Sequence, residues 1–232
     1  MESPTELTPQ ATTLQSRSEF YLCAARVFLP PSDENAWRGI TEYLADDLEA
    51  LSGELGYRVG ADIAALRAAT RQFPDSLSLL QAYGRLFLTP PVAARLNTAM
   101  YLDGDVMGGA TLAMQSCYRR HGLDGAPHFH DLPDHLTMQL EFVAFLWGLA
   151  AGHAGCGDRA RAIALADEAR QFLAGFLRPA LAPLAAELEA ATRGFGAAAL
   201  YLALVRLLET AVQVDCGAAA STPIAEGASG LP

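Results

Sequence analysis

Apolar residues recur at helical spacing along most of the chain. Phe20, Cys23, Ala24, Val27 and Phe28 predict a helix from Leu14 to Leu29, which Pro30-Pro31 stops. Ser32-Asp33-Glu34 then offers a capping residue and first-turn acids to a second helix carrying Trp37, Ile40, Tyr43, Leu44, Leu48 and Leu51. Third and fourth helices are predicted over Ala61 to Phe73 and Leu77 to Leu88, the latter opened by Pro74-Asp75-Ser76 and broken by Thr89-Pro90-Pro91. Val92 to Met107 shows no regular period. Gly108-Gly109 leads into a helix from Ala110 to His121, and Gly122 to Asp131 reads as a loop. Pro133, near the first turn, suits the opening of the helix that follows. There Leu136, Leu140, Val143 and Trp147 share a line, and Phe142, Phe145, Leu146 and Leu149 surround it. Only Gln139 and Glu141 are polar in its middle, so burial on most sides is expected.

Three further helices are predicted over Asp158 to Phe176, Pro179 to Thr192 and Phe195 to Val214. No segment alternates like a strand, and no repeat of the ~20–50-residue kind is present. The expected fold is all-α: a single-domain helical bundle of about nine helices over residues 13–216. Residues 1–12 are expected to form a flexible N-terminus and residues 217–232 a disordered tail.

Composition narrows the function. All 16 basic residues are Arg and none is Lys, which excludes a Schiff-base lysine and a phosphate-loop lysine. A formal charge of -10 argues against nucleic acid or an anionic membrane and is compatible with a basic partner. The longest apolar run, Phe195 to Val205, lies between Arg193 and Arg206 and falls short of the ~18 residues of a membrane span. No basic-then-apolar leader opens the sequence, and Cys23, Cys117, Cys156 and Cys216 form no close pair. Reduced thiols and a cytoplasmic location are expected.

Candidate chemistry gathers between residues 101 and 141. His121, His128, His130 and His135 lie near Asp131, Asp134 and Cys117, so a small metal-dependent enzyme using His128 to His135 is one reading. No His-Glu-x-x-His or Cys-x-x-Cys spacing supports it, and nucleophile-elbow, phosphate-loop and dinucleotide motifs are absent. Helix capping and turn formation account for Asp134 and Asp103 without catalysis. No catalytic residue, metal or cofactor is therefore expected. A third reading is peptide binding: Asp103, Asp105, Asp131, Asp134 and Glu141 rimming an apolar groove would suit a ligand both basic and apolar.

Several stretches resemble the TorD/DmsD/NarJ family of molybdoenzyme maturation chaperones, nearer the TorD/DmsD branch. Glu19 to Phe28 followed by Pro30-Pro31 is similar to the family's first helix, and Tyr83-Gly84-Arg85-Leu86-Phe87 to its aromatic-x-x-Leu-Phe motif. Tyr101-Leu102-Asp103, Gly108 to Ala113 and Tyr118-Arg119 are similar to its central loop and following helix. Asp131-Leu132-Pro133-Asp134-His135 matches the Glu-x-Pro-x-Asp-His signature in part, with Asp131 in place of the Glu; Leu96-Asn97-Thr98-Ala99 departs from the family's Pro-Tyr-x-Ser-like passage.

The resemblance implies a non-enzymatic cytoplasmic chaperone. It would bind the twin-arginine signal peptide and apo form of a molybdopterin oxidoreductase of the DMSO reductase type, holding it for cofactor insertion before export. The NarJ branch implies instead an assembly factor for an unexported catalytic subunit. On the first alternative Asp134, His135, Pro133, Asp131, Tyr83, Leu86, Phe87, Tyr101 and Asp103 are the expected signal-peptide-binding residues. Asp134 and one neighbouring acid would face the arginines, while Tyr83, Leu86 and Phe87 would meet the apolar part. Either a monomer or a homodimer is compatible with the sequence.

Overall fold

The computed structural model describes residues 8–105, 107–123 and 132–217. In chain order its helices are α1 (Pro9–Val27), α2 (Glu34–Arg38), α3 (Leu44–Leu55), α4 (Gly60–Thr70), α5 (Ser76–Tyr83), α6 (Ala99–Leu102), α7 (Gly109–Arg120), α8 (Leu136–Gly155), α9 (Arg159–Phe172), α10 (Arg178–Thr192) and α11 (Ala199–Gly217). Wider π-type turns over Gly39–Tyr43 and Leu173–Leu177 join α2 to α3 and α9 to α10, and a third over Gly84–Leu88 extends α5. Nine continuous helical segments result among the described residues, with no strand, as the hydrophobic period predicts.

Capping explains several boundaries, and at α2 the cap is Asp33, one residue after the Ser32 that the sequence offers. Asp33 accepts the Ala36 N–H at 2.8 Å, and Asp75 forms a reciprocal capping box with Ser78. Within the described part of the N-terminal stretch, helix α1 already begins at Pro9. Thr8 accepts the Ala11 N–H, and Pro9, whose missing N–H costs nothing in a first turn, opens α1. The two helices predicted on either side of Pro179 are likewise one segment. Proline would press on the carbonyl four residues earlier in a regular helix, at Gly175, and the wider Leu173–Leu177 turn falls there.

α8 is the central element. Leu136, Leu140, Val143, Leu146 and Trp147 are fully buried, and its most extensive neighbours are α1 and then α9. Close approach of α1 uses Gly148, where an added Cβ would stand 3.2 Å from Ser18 Oγ; that hydroxyl donates to the Ala144 carbonyl at 2.7 Å. On the α9 side Phe142 packs edge-on against Tyr118 and Phe172. Trp147 lies between the guanidinium groups of Arg17 and Arg170, at 5.2 and 5.4 Å from the ring centre.

The helical segment Gly196–Gly217 is 22 residues long and, by length and composition, apolar enough to cross a membrane. Here it is a core helix. It packs on α4 and α10, and its fully buried Asp215 is tied to α1 through Arg17 and Tyr21.

Candidate functional site

The irregular stretch after α5 is folded back onto the start of α8. The Ala93 and Ala94 N–H groups bond the Leu86 carbonyl at 2.9 and 3.3 Å, so the chain reverses over the end of the Gly84–Leu88 turn. Residues 96–98 then pair with 134–136. Leu136 N–H donates to the Leu96 carbonyl at 2.8 Å, and Thr98 N–H donates to the Asp134 carbonyl at 3.0 Å, around an antiparallel Asn97–His135 bridge. Gln139, the buried polar residue of α8, donates through its amide to Thr98 Oγ1 and to the Asp134 carbonyl.

This pairing sets the first turn of α8. His135 is extended, at φ -63° and ψ 135°, and serves as the N-cap; its Nδ1 accepts the Thr137 N–H at 3.2 Å. Pro133 thus stands two residues ahead of the cap, and the bridge to Asn97 holds residue 135 out of helical conformation. The Pro133 carbonyl accepts the Tyr118 hydroxyl of α7 at 2.8 Å. Burial and the nearby Cys117 and Asp134 raise the Tyr118 pKa far above the ordinary phenol value.

A pocket of about 260 Å³ lies between these pieces. Tyr83, Phe87 and His135, three of the expected binding residues, line it together with Leu88, Leu96 and Met100. Tyr83 and Phe87 are in edge contact at 5.1 Å, and both rings rest on Tyr201 of α11. Leu88 stands 61% exposed at the mouth. Sequence reasoning missed Leu88, Arg95, Asn97 and Met100; the polar pair Asn97-Thr98 in an irregular stretch was the available signal.

The other expected residues lie elsewhere. Leu86 lines a separate hollow of about 390 Å³ with Arg85, Pro90, Pro91 and Phe195. Tyr101 Oη accepts the Arg95 N–H at 3.0 Å and reaches Glu187 of α10 at 2.5 Å. Asp103 is exposed and organises the turn before α7, accepting from Ala110 N–H at 2.8 Å and Asp105 N–H at 3.2 Å. Those backbone bonds hold its pKa below the usual carboxylate value. Gly108 fits closely there, since an added Cβ would stand 2.9 Å from Asp105 Cβ and 2.7 Å from Asp103 Oδ2. Asp131, His128 and His130 lie outside the described residues. His121 meets Glu168 of α9 at 3.0 Å, and no group of three metal-ligating side chains converges among the described residues.

The acidic rim is the main departure. Asp134 has no exposed surface: Oδ2 accepts the Ala99 N–H at 3.2 Å and Oδ1 the Asn97 amide at 3.3 Å. Its carboxylate holds the residue 97–99 turn and is not among the groups that line the pocket. The charged side chain lining the pocket is Arg95, paired with Glu187 at 2.7 Å. Glu141 is half-buried, which raises its pKa, and Arg26 on α1 partly offsets that rise.

The family described as nitrate reductase delta subunit matches residues 30–186, well over half of the chain. The chain belongs to this family. It is one of redox-enzyme maturation chaperones of the NarJ/TorD type, in agreement with the resemblance drawn from the motifs. The matched span holds the whole pocket, from Tyr83 through His135, as well as the α2–α3 region. A solved structure described as a redox enzyme maturation protein from Archaeoglobus fulgidus is 22% identical, covering 67% of this chain and 90% of its own, with a TM-score of 0.38. No curated protein matches the chain.

Proposed function

We propose that this delta-subunit-family chaperone acts in the cytoplasm and binds the twin-arginine signal peptide of a molybdenum-containing oxidoreductase of the DMSO reductase type. It would hold the apo-enzyme for cofactor insertion before export, as a TorD/DmsD-like member. The observation that carries this reading is the pocket that gathers Tyr83, Phe87 and His135 from separate parts of the chain. At about 260 Å³ it is smaller than the ~300–1,000 Å³ usual for a small-molecule site and suits one or two apolar side chains of a peptide. An apolar stripe continues it along the helix surface: Leu77, Leu80 and Leu88 are exposed at helical spacing, with Gly84 leaving open space between them. Such a face accepts the apolar stretch of a leader.

Leu88→Glu tests the pocket. Because Leu88 is exposed, the variant should fold as the parent does and lower affinity for a synthetic leader peptide at least about tenfold, measured by calorimetry. Unchanged affinity would remove the pocket from the binding site.

A second reading is favoured by the description of the matching family, a nitrate reductase subunit. It is the NarJ-like assembly factor, which binds an unexported catalytic subunit. Capture of a client that survives deletion of its leader would select this reading over the first.

A further inference from the structure

A third and larger hollow, of about 660 Å³, opens between the C-terminal half of α1, the Pro30-Pro31 corner and the α2–α3 segment. Its walls include Val27, Leu29, Ile40 and Leu44, and Tyr43 stands at the lip, 52% exposed. The Gly39–Tyr43 π-type turn forms one side, and such turns recur at functional positions. Among the lining residues are three charged ones, Arg26, Asp33 and Asp47.

Charge separates this hollow from the Tyr83 pocket. Residues 19–49 carry seven acids (Glu19, Asp33, Glu34, Glu42, Asp46, Asp47, Glu49) against Arg26 and Arg38, a net of -5 out of the chain's -10. Residues 76–102 carry Arg85 and Arg95 and no acid. Several of the seven acids are engaged: Arg67 holds Asp46 and Glu49, and Arg38 holds Glu42. Asp33 caps α2 through Oδ1 and lines the hollow, and so does Asp47, which is exposed one residue from Asp46. Arg26 is placed to answer the half-buried Glu141.

The two hollows also share a wall. Val27 and Leu29 line the acidic one, and the carbonyl of Phe28 between them accepts the Tyr83 hydroxyl of the other at 3.1 Å. We propose that the α1–α3 hollow receives the basic end of the client peptide, Asp33 and Asp47 facing its guanidinium groups, while the apolar continuation occupies the Tyr83–Phe87–His135 pocket. This rests on the peptide-binding reading above and moves arginine recognition from the buried Asp134 to an open acidic surface.

The test compares two synthetic peptides, one with two adjacent arginines before an apolar stretch and one with glutamines in their place. Calorimetry at low salt is run on the full chain and on Asp33→Asn/Asp47→Asn. Asparagine keeps the α2 cap, so the double variant should melt as the parent does. The parent should prefer the arginine peptide about five- to tenfold, and the double variant should bind both peptides about equally. Leu88→Glu should weaken both peptides alike. A double variant that keeps the parent's preference overturns the assignment and leaves the peptide-binding function standing. A parent that binds neither peptide overturns both.

Discussion

Asp215→Ala is expected to lower the unfolding free energy by about 3–5 kcal/mol, the range for breaking a buried ion pair from one side. Asp215 has no exposed surface, and Arg17 Nε meets its Oδ1 at 2.8 Å with only 14% of the Arg17 side chain exposed. Its Oδ2 accepts two phenols, Tyr21 at 2.8 Å and Tyr57 at 2.7 Å. Removing the carboxylate would leave a guanidinium and two hydroxyls without their acceptor among α1, α11 and the turn after α3. Burial lowers the Arg17 pKa, but attraction and hydrogen bonding from Asp215 outweigh it and hold the guanidinium above its ordinary value. The midpoint of urea unfolding at constant slope measures the loss. Arg17→Met/Asp215→Leu should recover much of it, because that pair is apolar on both sides. A loss under about 1 kcal/mol for Asp215→Ala would show that the network is not a structural tie.

The same phenols set an alkaline limit. Burial, then Asp215, raises the pKa of Tyr21 and of Tyr57 far above the ordinary value near 10. In the unfolded chain both ionise as the pH passes about 10. The stabilisation from keeping them protonated is therefore complete below pH ~10 and decays above it, as the unfolded state sheds protons the native state retains.

Much of the fold was legible because its signals are local. The α8 stripe, the helix starts at Ser32-Asp33-Glu34 and Pro74-Asp75-Ser76, and the breaks at Pro30-Pro31 and Pro90-Pro91 each act within a few residues of themselves, although the α2 cap is Asp33 and not Ser32. Pro179 misled because its local meaning, an interruption, is absorbed by a wide turn that sequence period does not mark. The site was legible in its parts and not in its assembly. Tyr83, Phe87 and His135 were singled out on motifs, but only the Asn97–His135 bridge brings the chain before α6 to the cap of α8. That bridge depends on Thr98, Gln139 and Asp134 meeting across 35 or more residues, which no periodicity encodes. Asp134 shows the consequence. An acid beside a helix start reads as a solvent-facing cap or a ligand contact, whereas here each carboxylate oxygen accepts from a distant turn, Oδ2 from a backbone N–H and Oδ1 from an amide.

Asp134→Ala should therefore act through the turn it holds. Losing the acceptor for Ala99 N–H and the Asn97 amide in a fully buried setting should cost about 2–4 kcal/mol. Leu96, Asn97 and Met100, which line the pocket from this stretch, would lose their fixed position, and affinity for a leader peptide should fall at least about tenfold. Asp134→Asn separates positioning from contact. Its side-chain oxygen can still accept from Ala99, so the fold should hold within about 1–2 kcal/mol of the parent. If Asp134 positions the turn, the Asn variant weakens the arginine and glutamine peptides by the same factor. If it faces the arginines directly, the preference between the two peptides collapses while the glutamine peptide binds as before. The hydrogen bonds to Ala99 and Asn97 and the absence of exposed surface favour the first outcome, and the second would return arginine recognition to Asp134.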